Sequence, residues 1–489
     1  MLLGTVLGLL VGVLPGIGGT AGVAILLPVT VFIAPGAAIM MLAGIYWGSM
    51  YGGIVTSILF GVPGNPWSVA VMFDGRPLAK QGRAGLAMMA AFTVSFTGAI
   101  GAALLFTFLA QPFASLALRF GAPELFAILL LAFATFVGLG GQSPFKTLAM
   151  IAAGLLLATI GLDTISGTPR LTFGTFSLLQ GIHFIPVTIG LFGVGEILYN
   201  ATERIRGLVA DTHVKPRFAD FVYAVKVQVR RWWAFLLNLA IGFVTGLLPG
   251  LGATPASFMA YGIARRTSKH PEDFGKGSIE GVMAPEIANN AAGTAAILPM
   301  LTLGIPGSPT AAVIMAGLFI WGLTPGPLLF EQNREFVWGF ITSLYFSNTV
   351  AFLICIFLTP LLAMVLRVPY AILTPIIVVF SLAGAFTVNN SLFDIWLVLI
   401  FGVLGLLLRI LDYPLAPLVV ALVLGFPTEA ELRRTLILGD GSPGILFTRP
   451  ISAVVIVVAL LLFAQPLIAL VVKRLRKGPV PEKEPELVR

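Results

Sequence analysis

Apolar residues fill most of the chain and are interrupted only by short polar or Gly- and Pro-rich stretches. A helix that crosses a bilayer needs about 20 mostly apolar residues. Some stretches reach that length, whereas others are too short to cross alone and are expected to form half-helices or re-entrant hairpins. They include Leu2–Leu14, Ala37–Phe60, Leu86–Ala110, Ala122–Leu139, Phe145–Leu162, Phe336–Leu366, Phe393–Leu411, Leu415–Phe426 and Ile451–Val472. The pattern predicts an all-α, polytopic membrane protein with about 10 to 13 transmembrane helices.

The composition excludes several classes of soluble protein. Of the 489 residues, 58% are apolar and 10% are charged, and the mean hydropathy is +1.00. Soluble proteins carry roughly 25% charged residues. Because so few charges could not cover the surface of a water-soluble domain of this size, a cytosolic enzyme, a nucleic-acid-binding protein and a secreted disulfide scaffold are all excluded.

The distribution of basic residues predicts the sides of the membrane. Lys and Arg concentrate in Thr202–Arg231 and in Lys473–Lys477, and basic loops of membrane proteins are usually cytoplasmic. The loops 74–83 and 265–276 are also basic, whereas the loops 33–36 and 162–180 are poor in basic residues and are expected outside. The chain therefore divides into a first membrane repeat (1–200), a basic cytoplasmic linker (201–231), a second membrane repeat (232–472) and a polar tail (473–489).

Two proline-bearing motifs occur in the same order in both halves. Gly12–Thr20 reads GVLPGIGGT and Gly246–Thr254 reads GLLPGLGAT. Gly61–Pro66 reads GVPGNP and Gly304–Pro309 reads GIPGSP. The copies of each motif are separated by nearly half the chain, which indicates a duplication.

Equivalent loops in the two halves carry opposite charge bias. The loop after the first Leu-Pro-Gly motif is uncharged, whereas the loop after the second is basic. The Gly-x-Pro-Gly motifs show the reverse order, because 74–83 is basic and 331–335 is not. We therefore predict two inverted repeats with broken or re-entrant helices, a plan found in secondary transporters whose site lies near the midplane. Strict inversion would place the tail outside, whereas its basic cluster argues for the inside, and an extra re-entrant or unpaired segment around Leu415–Phe426 would resolve this.

The broken motifs are the candidate binding sites. Backbone groups freed by a break within lipid must line a cavity or find partners. The N-terminus of the next half-helix suits a carboxylate, and unwound carbonyls suit a cation such as sodium. The candidate substrate-binding residues are Gly18, Gly19, Thr20, Asn65, Gly252, Thr254, Asn289, Asn290 and Ser308, and the candidate cation-binding residues are Pro15, Gly16, Gly61, Gly250, Gly304 and Pro306.

Each feature also has a structural interpretation. The glycines could serve only to let helices cross at close range. Asn65 and Ser308 either bind substrate or cap their own broken helices. Glu286 is either an interfacial cap or a cation or proton site, and Glu124 and Glu196 are expected at the interface.

Sequence motifs of the common catalytic sites are absent. The chain has no Ser-His-Asp, H-E-x-x-H, C-x-x-C or Walker pattern, so we predict that it is neither an enzyme nor an ATP-driven pump and has no cofactor. Transport would then draw on ion gradients. Because the broken segments contain almost no acids, sodium bound by backbone and hydroxyl oxygens is favoured over a carboxylate proton relay.

Several motifs together resemble the large membrane permease subunit of the tripartite tricarboxylate transporter (TctA) family. They are Leu14–Gly18 (LPGIG), Gly61–Pro66 (GVPGNP), Asp74–Lys80 (DGRPLAK), Gly161–Asp163 (GLD), Pro169–Phe173 (PRLTF), Gly195–Ile197 (GEI), Leu248–Gly252 (LPGLG), Ala284–Asn290 (APEIANN) and Gly304–Gly307 (GIPG). The similarity runs from Gly4 to about Pro466. Members of this family start further upstream, and Met1 aligns with Phe235 of the second copy, so we expect a helix upstream of this chain.

The resemblance implies a secondary transporter of the bacterial inner membrane. Its partners would be a small four-helix membrane subunit and a periplasmic solute-binding protein. Its substrates would be carboxylates, citrate among them, with sodium or proton as the coupling ion. A carboxylate or anion channel and a gradient-driven transporter without a binding protein are the alternatives, and both predict flux that needs no accessory protein. An intramembrane enzyme or assembly factor would require a catalytic pair at membrane depth, which the sequence does not offer.

Overall fold

The structure, a computed structural model, is built almost entirely of helices. It describes residues 1–14, 18–61, 63–139, 143–163, 167–202, 217–365, 375, 378–379, 381–383, 385–386 and 390–476. Its only strands within this described part are β1 (Gly161–Leu162) and β2 (Pro169–Arg170), which pair antiparallel with Gly161 opposite Arg170. The all-α fold class predicted from the sequence is therefore confirmed.

The first half begins with a helix, a break and a long buried helix. Its helices are α1 (Leu2–Val13), α2 (Gly18–Leu26), α3 (Pro35–Leu59), α4 (Val69–Lys80), α5 (Ala84–Ala117), α6 (Ala122–Leu139), α7 (Pro144–Ala158), α8 (Phe184–Thr188) and α9 (Gly195–Thr202). A π-helical turn, Ile189–Val194, joins α8 to α9. Short 3-10 helices cover Leu27–Phe32, Pro66–Ser68 and Phe176–Leu178.

The second half follows a similar order. Its helices are α10 (Phe218–Arg230), α11 (Trp232–Leu247), α12 (Ala253–Thr267), α13 (Ile279–Ala295), α14 (Ile297–Leu303), α15 (Pro309–Ile320), α16 (Leu329–Gln332), α17 (Arg334–Val365), α18 (Leu392–Ile410), α19 (Leu415–Leu438), α20 (Ile445–Thr448) and α21 (Pro450–Arg476). A 3-10 turn covers Pro271–Asp273. The segment around Leu415–Phe426, expected to be re-entrant or unpaired, is the first half of the continuous helix α19 and is not a re-entrant hairpin.

Five helices in the described residues are long and apolar enough to cross a membrane unaided, namely Pro35–Leu59, Ala84–Ala117, Arg334–Thr359, Leu392–Ile410 and Leu415–Leu438. Shorter apolar helices of 10–17 residues accompany them. Such short apolar helices are the expected product of breaks and hairpins within a membrane domain. The chain is therefore a multi-pass membrane protein, and the sides predicted for its loops stay predictions.

Glycines place the same helix crossing in each half. In the first half α1 crosses α3, and in the second half α11 crosses α13. The facing pairs are Gly8 with Ile45 and Gly12 with Ser49 in the first half, and Gly242 with Ala288 and Gly246 with Ala292 in the second. In every pair the glycine lies against the partner's backbone, where a larger side chain has no room. These close contacts hold the ends of α1 and α11, and hence both breaks, against a long buried helix.

The halves also exchange packing partners. Helix α5 of the first half packs on α13, and α17 of the second half packs on α3. Likewise α7 packs on α19, and α18 packs on the π-helical turn and α9. Each half therefore completes the hydrophobic core of the other. The broken motifs of the two halves face each other across the interface between the halves.

Candidate functional site

A cavity of about 500 Å³ lies between the broken motifs of the first half and those of the second half. Its walls include eight of the residues predicted from the sequence, Gly18, Gly19, Thr20, Asn65, Gly250, Gly252, Thr254 and Ser308. A volume of this size is within the range of small-molecule sites. The structure thus brings residues from both halves, far apart in sequence, to one cavity.

Helices begin at the cavity wall from both halves. Helix α2 starts at Gly18, α12 at Ala253 and α15 at Pro309. The 3-10 turn at Pro66, which leads into α4, starts there as well. The first turn of each helix has N–H groups without intrahelical partners and the positive end of the helix dipole. Several such ends around one cavity create a site that favours an anion.

Glycine conformation makes both breaks possible. Gly18 has φ +68° and Gly252 has φ +63°, in the left-handed region that other residues rarely adopt. Gly61 and its counterpart Gly304, in the Gly-x-Pro-Gly motifs, also have left-handed backbone, both with φ +70°. The duplicated sequence motifs therefore correspond to duplicated backbone geometry. Gly61 and Gly304 terminate the preceding helices and are not among the residues that line the cavity.

Asn65 joins the two breaks of the first half. Its Oδ1 accepts a hydrogen bond from the Gly19 N–H at 2.5 Å, and its Nδ2 donates to the Ser49 carbonyl at 2.9 Å. It makes no side-chain cap to its own helical turn. The side chain is 2% exposed, so it fixes the start of α2 at the edge of the cavity.

Ser308, the counterpart of Asn65, caps its own helix. Its Oγ accepts the Ala311 N–H at 3.1 Å at the start of α15. The second pair of breaks is joined by backbone instead, because the Gly250 N–H donates to the Gly307 carbonyl at 3.1 Å. The capping interpretation therefore applies to Ser308 and not to Asn65, although both side chains line the cavity.

A hydroxyl pair connects the two halves directly. Thr20 Oγ1 lies 2.7 Å from Thr310 Oγ1, and either hydroxyl can donate. Thr254, the second-half counterpart of Thr20, also lines the cavity and is half-buried. These hydroxyls can donate to a carboxylate or accept from a cation's hydration shell.

An arginine and a glutamate that form an ion pair line the cavity. Arg409, near the end of α18, lines it together with Glu196 of α9 and Tyr413. The Arg409 guanidinium forms an ion pair with the Glu196 carboxylate, and its Nε has no hydrogen-bond partner among the described residues. Guanidinium groups bind carboxylates through two parallel hydrogen bonds. Arg409 therefore brings to this cavity the side-chain type best suited to pairing with a carboxylate.

Both residues of this pair were missed from the sequence. Glu196 is 8% exposed and lines the cavity, and its expected position at a membrane interface stays a prediction. Arg409 interrupts an otherwise apolar run, and an intramembrane arginine is a functional candidate by default. That signal was available in the sequence.

The other predicted residues lie away from the cavity wall or outside the described part of the chain. Asn289 and Asn290 are buried on α13 and belong to a separate polar cluster with Glu286. Pro306 is described and does not line the cavity. Pro15 and Gly16 fall outside the described residues. Across the described ranges, His, Cys, Asp and Glu form no group of three or more that could hold a metal ion.

Comparisons with known proteins identify the family. The tripartite tricarboxylate transporter TctA family matches residues 1–420. An Agrobacterium vitis protein described as "Uncharacterized 52.8 kDa protein in TAR-I ttuC' 3'region" is 40% identical over 458 residues, which cover 94% of this chain and 90% of that protein. A second protein of that organism, described as "Uncharacterized protein in TAR-II ttuC' 3'region", is 39% identical over 212 residues, which cover 43% of this chain and 88% of that protein. No solved structure matches the chain significantly. The chain therefore belongs to the tripartite tricarboxylate transporter TctA family.

Proposed function

We propose that the chain is the permease subunit of a binding-protein-dependent secondary transporter that imports a tricarboxylate or a related carboxylate. The observation that carries this proposal is the cavity between the two broken motifs. Helix N-termini from both halves and the Arg409 guanidinium face it. A multivalent carboxylate matches this charge pattern better than a neutral or cationic solute does.

Cation symport follows from the cost of moving the substrate. One charge crossing 100 mV corresponds to about 2.3 kcal/mol, so importing a trianion against an inside-negative potential costs roughly 7 kcal/mol. At least three cations must accompany it for electrical neutrality. We propose sodium among them, bound by carbonyl and hydroxyl oxygens at the breaks, where Thr20, Thr254 and Thr310 supply hydroxyls.

The transport cycle and its partners complete the proposal. The exchange of packing partners between the halves suits alternating access, in which one bundle that carries both breaks moves against the rest. The name of the family indicates partner subunits, and we propose a periplasmic binding protein and a small membrane subunit. The location would be the bacterial inner membrane, with the basic segments in the cytoplasm.

Reconstitution tests this function. The permease and its small subunit are placed in proteoliposomes, and uptake of radiolabelled citrate is measured with and without the binding protein and an inward sodium gradient. Uptake that requires both supports the proposal. Uptake that is independent of the binding protein and of any gradient indicates a channel, and uptake unchanged by removal of sodium rejects sodium coupling.

A further inference from the structure

A second polar cluster is buried within α13, away from the cavity. The Glu286 side chain is completely buried. Its Oε2 accepts a hydrogen bond from Ser95 Oγ of α5 at 3.0 Å and a weaker one from Asn290 Nδ2 at 3.4 Å. Asn290 Nδ2 makes shorter hydrogen bonds to Asn289 Oδ1 at 2.6 Å and to the Glu286 backbone carbonyl at 2.9 Å. Glu286 Oε1 and Asn290 Oδ1 have no hydrogen-bond partner among the described residues.

The surroundings of Glu286 are dry and tightly packed. Gly98 of α5 lies so close to α13 that an added Cβ would be 3.0 Å from the Ile287 carbonyl oxygen. On another side, Gly242 of α11 lies against the backbone of Ala288. Because Glu286 is shielded from solvent in this conformation, an ionised carboxylate at this position would be costly unless a positive charge accompanied it.

Several other buried acids of the described chain are compensated by a positive charge or by a full set of hydrogen bonds. Glu124 forms an ion pair with Arg449, and Glu196 with Arg409. Asp74 instead accepts four hydrogen bonds, three of them from backbone N–H groups. In the described residues Glu286 has no ion pair with Lys, Arg or His, which leaves proton or cation binding as the way to neutralise it.

The titratable groups that face Glu286 cannot supply this charge. Tyr51 of α3 is within electrostatic range of the carboxyl, and Cys355 of α17 belongs to the same buried cluster as Tyr51. Both side chains are neutral near pH 7 at their ordinary pKa values. Asp74 of α4 contacts Gly281, at the start of α13, where the ion pair of Arg231 with Glu280 also lies. Along the helix axis, Glu280 of this ion pair lies about 9 Å before Glu286.

Helix α13 connects the cluster to the second break. At its end, the Ala296 carbonyl accepts the Gly307 N–H at 3.1 Å, directly before Ser308 at the cavity. Ten residues separate Glu286 from Ala296, about 15 Å along the axis. A movement that carries the break therefore carries Glu286 with it.

We infer that Glu286 is a proton-binding site and that its proton is one of the coupling cations. This inference rests on the proposed transport function. In the outward-facing state the carboxylate takes a proton from the external solution. In the inward-facing state it releases that proton to the cytoplasm. Ser95 and Asn290 stabilise the carboxylate during release, and the tight packing holds the protonated form while α13 moves. Sodium would still bind at the breaks.

The test compares Glu286→Gln with wild-type complex in proteoliposomes at clamped membrane potential. Glutamine copies the shape and neutrality of the protonated acid and cannot release a proton. We expect wild-type citrate accumulation to rise about tenfold for each unit of inward pH gradient per proton moved. In Glu286→Gln this rise is abolished, whereas citrate counterflow, which needs no net proton movement, continues. The matched control is Glu280→Gln on the same helix, which should keep the response.

The outcomes separate the two proposals. If wild-type complex shows no counterflow, the transport function itself fails. If wild type shows counterflow without a response to the pH gradient, or if Glu286→Gln keeps that response, the proton site is overturned and Glu286 is structural.

A second pair of variants covers the case in which Glu286→Gln does not reach the membrane. Ser95→Ala and Asn290→Ala each remove a donor to the carboxylate. Either should move the pH of half-maximal uptake toward alkaline values, since the neutral acid is then favoured. An unchanged pH profile in both variants rejects the inference.

Discussion

Arg409 shows how one side chain can define the chemistry of the cavity. Its guanidinium forms an ion pair with Glu196, yet 27% of the side chain is exposed. A substrate carboxylate can therefore approach the guanidinium without unfolding the local structure. We propose that a substrate carboxylate competes with Glu196 for the Arg409 guanidinium.

Replacing Arg409 tests that role. A charge-assisted hydrogen bond contributes about 1.5–3 kcal/mol, so Arg409→Gln should weaken citrate binding roughly 10- to 150-fold. Arg409→Lys should have an intermediate affinity for citrate, because it keeps the charge and loses the bidentate hydrogen-bond geometry. The measurement is the concentration dependence of citrate counterflow. Arg434→Gln, at an exposed arginine paired with Glu431, is the control, and an unchanged apparent affinity in Arg409→Gln would remove Arg409 from the site.

Asp74 is a residue whose importance is structural. Its Oδ1 accepts the N–H groups of Gly275, Gly277 and Ser278, each at 2.8 Å, and its Oδ2 accepts the Tyr261 hydroxyl at 2.9 Å. This carboxylate fixes the loop between α12 and α13, and therefore the direction of α13.

Asp74→Ala should destabilise the fold by several kcal/mol, because each buried donor left unpaired costs about 1–3 kcal/mol. The expected result is a clearly lower melting temperature of the purified protein in detergent. Asp273→Ala changes an exposed acid in the same loop and should leave the melting temperature close to that of wild type. Equal stability of the two variants would contradict the role of Asp74.

At the scale of helices, the length of the apolar stretches predicted the helices well. The contacts between helices that are distant in sequence could not be predicted. The stretch Ala122–Leu139 coincides with α6. Helix α19 extends beyond the apolar stretch that ends at Phe426, to Leu438. Its charged second half pairs with the loop between α7 and α8, and no local pattern reveals a partner so far away in the chain. The cavity could be predicted from the breaks, but the pairing of Glu196 with Arg409 depends on how the halves pack.

The contact between that loop and α19 is an ionic network. Arg170 donates to Glu429 at 2.8 and 3.2 Å, and Arg433 donates to Asp163 at 2.9 and 3.3 Å. The hydrogen bonds to Glu429 are the main reason that the pKa of Arg170 is raised. The guanidinium therefore stays charged over the ordinary pH range. The network therefore connects the loop between α7 and α8, in the first half, to α19 in the second half.

Arg433→Ala should lower stability only slightly, because the network is partly exposed and solvent screens it. The difference from wild type should shrink at high salt. Thermal unfolding in detergent at low and high salt measures this. A difference independent of salt would indicate a packing effect rather than an ionic one.

The glycines at the two helix crossings hold the breaks after α1 and α11 in place. Gly246→Leu would force a side chain into the backbone of Ala292. Overpacking of this kind costs about 1–3 kcal/mol or more, and we expect little folded protein in the membrane. Gly262→Leu on α12 is the matched control, since no atom lies within 4 Å of an added Cβ there. The check is the yield of monodisperse protein, and equal yields would contradict the packing role.

At the scale of the whole molecule, two similar halves enclose one site. The halves repeat the glycine crossings and the left-handed glycines at the breaks, and each packs helices of the other. Pseudo-symmetry between halves is a common feature of transporters that work by alternating access. Thr20 and Thr254 mark equivalent positions of the two halves at the cavity.

Accessibility of the cavity tests the central claim most directly. In a Cys355→Ala background, which removes the single native cysteine, Thr254→Cys and Thr20→Cys are each labelled with a membrane-impermeant thiol reagent from either side. We predict that the labelled side changes when citrate and sodium are added together. Labelling from one fixed side under all conditions, or none at all in folded protein, would contradict a cavity that carries its substrate across the membrane.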